Sequence, residues 1–209
     1  MSDHTNRRKF IKKSALWATG FATATLPAWG HAEPPKEGLY LVGPREGFTP
    51  RIGTLLSTMT MMRSMLVQQV ESLSTEQLDF QVDDQSNSIG AMLMHLAATE
   101  KYYQLNTFNN MAWGSWGQEV KDEWDVPMGL GQAARKKIKG HTLDYYLDRL
   151  EEVRAHTIEQ FAKLDDRWLE KSEPFFGGQP TNNHAKWFHV CEHESNHNGQ
   201  IKFIKKRFS

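Results

Sequence analysis

The residues of this chain best suited to chemistry crowd into one stretch near its end, "HVCEHESNHNGQIKF", His189 to Phe203. Inside it, His193-Glu194-Ser195-Asn196-His197 spells H-E-x-x-H, the spacing at which two imidazoles bind zinc while the glutamate serves as general base of a metalloprotease. Side chains four apart on a helix stack about 6 Å from each other on one face. Two imidazoles so placed can share one metal ion.

A third ligand decides which chemistry that is. A thermolysin-type protease takes it from a downstream glutamate, but only twelve residues follow His197 and none is Glu or Asp. The extended form H-E-x-x-H-x-x-G-x-x-H also fails, because Gly199 comes one residue early and Phe203 stands where a histidine belongs. The chain is therefore not expected to be a zinc protease, and Glu194 reads as a solvated face residue. The third ligand must come from upstream, from His95, His141, His156 or His184. His95 is the best placed, beside the inward stripe of another helix and flanked by Met92, Leu96 and Thr99.

Other residues carry weaker signals. Glu100 lies a little over one turn after His95 and is a candidate general base. The competing reading is a buried glutamate paired with a Lys or Tyr. His189, at the edge of the same face as His193, is a candidate to support a ligand from behind. Trp113, Trp116, Phe175 and Phe176 fall in connecting segments and can lid a pocket. Met59, Met61, Met62 and Met65 read as core filling. Cys191 sits on a different face from His193 and is not expected to ligate.

These side chains need helices to hold them, and the sequence supplies four helical patterns with almost no strand alternation. The first runs from about Arg51 to Ser72, with apolar residues at 52, 55, 59, 62, 66 and 70. Ser74-Thr75-Glu76-Gln77 then looks like a capping box. The second starts after "DDQSNS", with Ser86 or Ser88 as N-cap and a stripe through Ile89, Leu93, Leu96, Glu100 and Tyr103. The third begins at Thr142. The fourth begins near Asn182 or Asn183 and runs to about Lys206, with an inward stripe read as 190, 193, 197, 201 and 204. Residues 110–141 and 170–182 read as long loops. The expectation is an all-α four-helix bundle over residues 51–209 with one long crossover connection.

The stretches "SIGAMLMHLAATEKYY" and "HVCEHESNHNGQIKF" together resemble the DinB/YfiT-like superfamily. The resemblance spans about residue 50 to the end. It implies a four-helix bundle that binds a divalent metal through three histidines, here His95, His193 and His197. It also implies, for some relatives, metal-dependent hydrolysis or thiol S-transfer. The family commonly has His or Arg just before Gly-Gln-Ile, where this chain has Asn198. Zinc is the default ion for three imidazoles, with nickel, iron and manganese as alternatives. A non-catalytic metal-binding or interaction protein is the competing function.

Residues 1–32 are set aside from the fold. "NRRKFIKK" puts Arg7 and Arg8 before Phe10, Ile11 and Lys12, followed by the modestly apolar "SALWATGFATATLPAWG". This resembles a twin-arginine export signal. It implies an exported or periplasmic protein that meets the twin-arginine machinery. Residues 33–50, rich in Pro and Gly, read as an irregular lead-in. Removing the first 32 residues takes five Lys/Arg and one Asp from totals of 25 and 25, leaving 20 basic and 24 acidic residues, a net charge of −4. A polyanion partner such as nucleic acid is thereby disfavoured. A small-molecule substrate and a second copy of the chain in a homodimer are the partners the reading allows. One cysteine, Cys191, permits no internal disulfide.

Overall fold

The computed structural model describes residues 38–208; the twin-arginine segment and the first part of the lead-in lie outside them. Residues 38–49 are turns and bends, as the Pro/Gly composition requires.

The helices start where capping chemistry says they should. Helix α1 (Pro50–Val70) opens on a proline, whose missing N–H is no loss in a first turn. Its free N–H groups are taken by Asp166, whose Oδ1 accepts from the Arg51 and Ile52 amides at 3.1 Å each. The predicted box is present, with Ser74 and Gln77 each accepting from the other's backbone at the start of α2 (Thr75–Asp79). Of the two candidate serines, Ser88 caps α3 (Ile89–Thr107), accepting from the Ala91 amide at 3.2 Å. Thr142 precedes α6 (Leu143–Phe161). Asn182 caps the last helix, α7 (Asn183–Lys205), by accepting from the Ala185 amide at 2.8 Å.

The two expected loops are corrected. Within 110–141 the chain forms α4 (Gln118–Gly129) and α5 (Gly131–Lys137), separated by Leu130 at φ 49°. Glycine and proline punctuation hid them, together with a sparse apolar pattern carried by Val120, Trp124 and Pro127. Helix α4 packs on α3 and buries Trp124. Within 170–182 the chain forms a small antiparallel hairpin, β1 (Ser172–Pro174) with β2 (Pro180–Asn182), Ser172 opposite Asn182.

The four long helices α1, α3, α6 and α7 close a bundle: α7 packs on α1 and α3, and α6 packs on α3 and α1. Among the described residues the architecture is all-α apart from that hairpin. Helix α3 is the central one. Every residue from Ile89 to Glu100 is buried, so it is apolar nearly all round, as a core helix must be. Gly90 permits part of this, since a Cβ there would meet the Tyr146 hydroxyl of α6 at 2.6 Å.

The bundle is tied by charge as well as by apolar packing. One ionic side chain from each long helix converges inside it: Arg63 of α1, Glu100 of α3, Arg154 of α6 and Glu194 of α7. All four side chains are at most 9% exposed. The charges balance two against two, so burial does not strand a net charge.

Candidate metal centre

His95 projects from the middle of α3, and His193 and His197 from successive turns of α7. Each offers a ring nitrogen, and the three ligand atoms lie within 4.8 Å of one another. His95 Nε2 is 2.8 Å from His193 Nε2, and the ring of His197 stands 5.0 Å from that of His95 and 4.6 Å from that of His193.

Hydrogen bonds set which nitrogen is free. His95 Nδ1 lies 3.1 Å from the Pro127 carbonyl, which can only accept, so that nitrogen carries the proton and Nε2 keeps its lone pair. His197 Nδ1 likewise donates to Gln200 Oε1 at 3.1 Å. Partners that fix the tautomer from behind are the usual companions of metal-binding histidines. Burial lowers all three ring pKa values, bringing His193 to about 3 and His197 to about 4; repulsion among the neighbouring imidazoles adds to it for these two. The rings are therefore neutral near pH 7. His193 Nε2, 2.8 Å from His95 Nε2, donates to it in one tautomer and in the other presents a second lone pair that a shared cation would accept. The donor set thus fits a divalent metal ion held by three imidazoles, with further coordination positions left to other ligands.

The other upstream histidines stay apart. His141 stacks on Tyr145, His156 faces Phe108, and His184 meets Arg51. His189 lies beside the trio with its ring stacked on that of His193, centroids 5.2 Å apart, and its Nδ1 is 3.2 Å from the Tyr103 hydroxyl.

Glu100 belongs to a different constellation. Its two oxygens accept from Arg154 at 2.8 and 3.0 Å, from Arg63 at 3.1 Å and from Thr157 at 2.6 Å. Burial raises its pKa, but the guanidinium groups outweigh that and the net shift is downward. The pairing is with arginines, not the Lys or Tyr set against a catalytic role.

Glu194 is a correction. It is 2% exposed, bonded to Arg63 and Arg154, not solvated. The inward stripe of α7 runs 190, 194, 197, 201 and 204, and His193 sits half-buried at its edge. A step of three or four from Val190 reaches 193 or 194 equally well, which is why the sequence did not decide between them. His193 consequently borders a cavity of about 460 Å³ whose walls include Trp113, Phe175, Phe176, Tyr103 and His189. Trp116, a candidate for the same wall, is buried instead against Tyr102.

Sequence reasoning missed Gln200 and Pro127. Gln200 was detectable in principle, three residues after His197 on the same helix. Pro127 was not, because its carbonyl reaches His95 from a segment read as loop.

No curated protein matches the chain. The profile of the DinB superfamily matches residues 58–201, which takes in the three clustered histidines, all four arms of the buried ion network, the whole of α3 and α6 and most of α1 and α7. A match over that much of the sequence, on a helical bundle with His95, His193 and His197 gathered at one point, means that the chain belongs to the DinB superfamily.

Proposed function

We propose that the protein is a divalent-metal enzyme acting on a small molecule, either a hydrolase or a thiol S-transferase. The observation that carries this is the trio itself: three neutral imidazoles, two with fixed tautomers, opening through His193 onto a cavity. His95, His193 and His197 would hold the ion, and zinc is the ion proposed. When bound, such an ion supplies Lewis acidity, which favours the deprotonated form of a water or a thiol. The chain's own part is to keep the donors unprotonated, orient them, and exclude water on the side walled by aromatic rings. Glu194 and Glu100, both held by arginines, are not free to act as a protease's base.

The basic pair Arg7-Arg8 and its flanking residues support export by the twin-arginine route to the periplasm or cell envelope. That route carries folded proteins and is compatible with metal loading in the cytoplasm. The charge balance supports a partner other than nucleic acid, and a homodimer is part of the proposal.

The test is metal analysis of untagged protein beside His95→Ala and His193→Ala. Wild type should carry close to one equivalent of metal and each variant much less. Equal, negligible metal in all three would overturn the reading. Loaded protein is then screened for thiol conjugation and for ester and amide hydrolysis. Metal without either activity would favour the competing function, a metal-binding protein of the envelope.

A further inference from the structure

We propose that the cavity beside His193 binds its ligand through an uncharged aromatic end, so that the substrate class is a small ring-bearing molecule whose reactive group reaches the histidines. This rests on the reading above for the reaction, but on the cavity alone for binding.

The walls carry the argument. Trp113, Phe175, Phe176 and Met128 supply apolar lining, and among the described residues no Asp, Glu, Lys or Arg lines the cavity. The rings already interlock edge to face, with Trp113 and Phe175 centroids 5.1 Å apart and Phe175 and Phe176 5.0 Å apart. Trp113 and Phe176 nonetheless remain 41% and 40% exposed, which leaves aromatic surface to receive another ring. Lys186 stands 4.6 Å over the Phe175 ring, but it is bonded to Asn106 and Glu173 and is itself buried. A charge on the ring end of a ligand would lose water and find no counter-ion. The Tyr103 hydroxyl meets His189, which stacks on His193 and packs against Phe176, while the Tyr103 ring packs against Trp113 and Phe175. Hydrogen-bonding groups thus sit directly beside the aromatic wall, on the side that adjoins the metal centre.

Isothermal titration calorimetry on the protein as purified tests this with three probes: 2-naphthol, its saturated counterpart decahydro-2-naphthol, and 6-hydroxynaphthalene-2-sulfonate. Naphthol should bind, and the other two should bind roughly tenfold more weakly or worse, one for want of ring stacking and the other for its charge. Trp113→Ala and Phe176→Ala alter exposed side chains. Each should weaken naphthol roughly fivefold, with helicity and metal content unchanged. His197 does not line the cavity, so His197→Ala should lose metal and keep naphthol. Equal binding of the saturated or sulfonated probe, or unchanged affinity in both aromatic variants, would overturn the proposal. A His197→Ala protein that retains both metal and naphthol would leave the cavity standing and remove the three-histidine reading instead.

Discussion

Gln200 Oε1 lies 3.1 Å from His197 Nδ1, so the glutamine of Gly-Gln-Ile fixes the ring that the preceding turn presents to the metal centre. Its side chain is exposed, and replacing it removes no core packing. Gln200→Leu should keep the fold and weaken metal binding about 10–100-fold, the usual cost of losing such a support. Competition against a chromophoric chelator measures it. Unchanged affinity would mean that the Gln200 contact orients nothing.

Arg63 and Glu194 form the buried link between α1 and α7, and each also contacts the Glu100–Arg154 pair. Removing one partner strands a charge. Arg63→Met or Glu194→Leu alone should cost about 3–5 kcal/mol in urea unfolding. The double variant should cost clearly less than the sum, because Glu100 and Arg154 still pair at 2.8 and 3.0 Å. It will not be free of cost, since Arg63 also donates to the Leu150 carbonyl at 3.0 Å. Strict additivity would show that the four charges do not act as one network.

The same residues show what could be read from the sequence. Helix starts were legible, because Ser74, Ser88 and Asn182 cap locally, within a turn of their own position, and Thr142 stands at the N-cap position of α6 without a side-chain capping bond. The histidine trio was legible because helical spacing fixes His193 and His197, and His95 lies mid-helix in a distinctive context. Glu194 was not, because its partners lie 131 and 40 residues away in sequence. A glutamate between two stripe positions looks solvated until Arg63 and Arg154 are placed beside it. Helix α4 was lost for a related reason: it is stabilised by burying Trp124 on α3, a tertiary gain that its Gly- and Pro-flanked sequence does not advertise.

Acid should destabilise the metal-free protein in two stages. The unfolded histidines titrate near 6.5, while burial holds His193 at about 3 and His197 at about 4 in the fold. Below 6.5 the unfolded state binds more protons, so stability falls as pH falls. Glu100 acts next. Its folded pKa is below the ordinary 4.5, so its contribution is complete above 4.5 and is lost as pH falls through the folded value. Chemical denaturation should show stability level above about pH 7, then declining. His193→Gln should flatten the slope between 6.5 and 4, and Glu100→Gln the slope below 4.5 at the price of lower stability at neutral pH. A profile flat from 6.5 to 4 contradicts the depressed histidines.

Gly90 belongs to the Ser-Ile-Gly that opens the His95 helix, and its role is steric. A Cβ there would stand 2.6 Å from the Tyr146 hydroxyl and 2.7 Å from its ring carbon, both closer than real contacts allow. Tyr146 is fully buried at the α3–α6 contact and cannot swing into solvent without opening it. Gly90→Ala should therefore cost about 1–3 kcal/mol, the range for overpacking a core, although alanine is the better helix former. Tyr146→Leu in the same chain should recover part of that loss by clearing the space. Because α3 also carries His95, the single variant should weaken metal binding along with stability, and the double variant should recover both together. Recovery of stability without recovery of metal affinity would show that the α3–α6 contact does not set the position of His95.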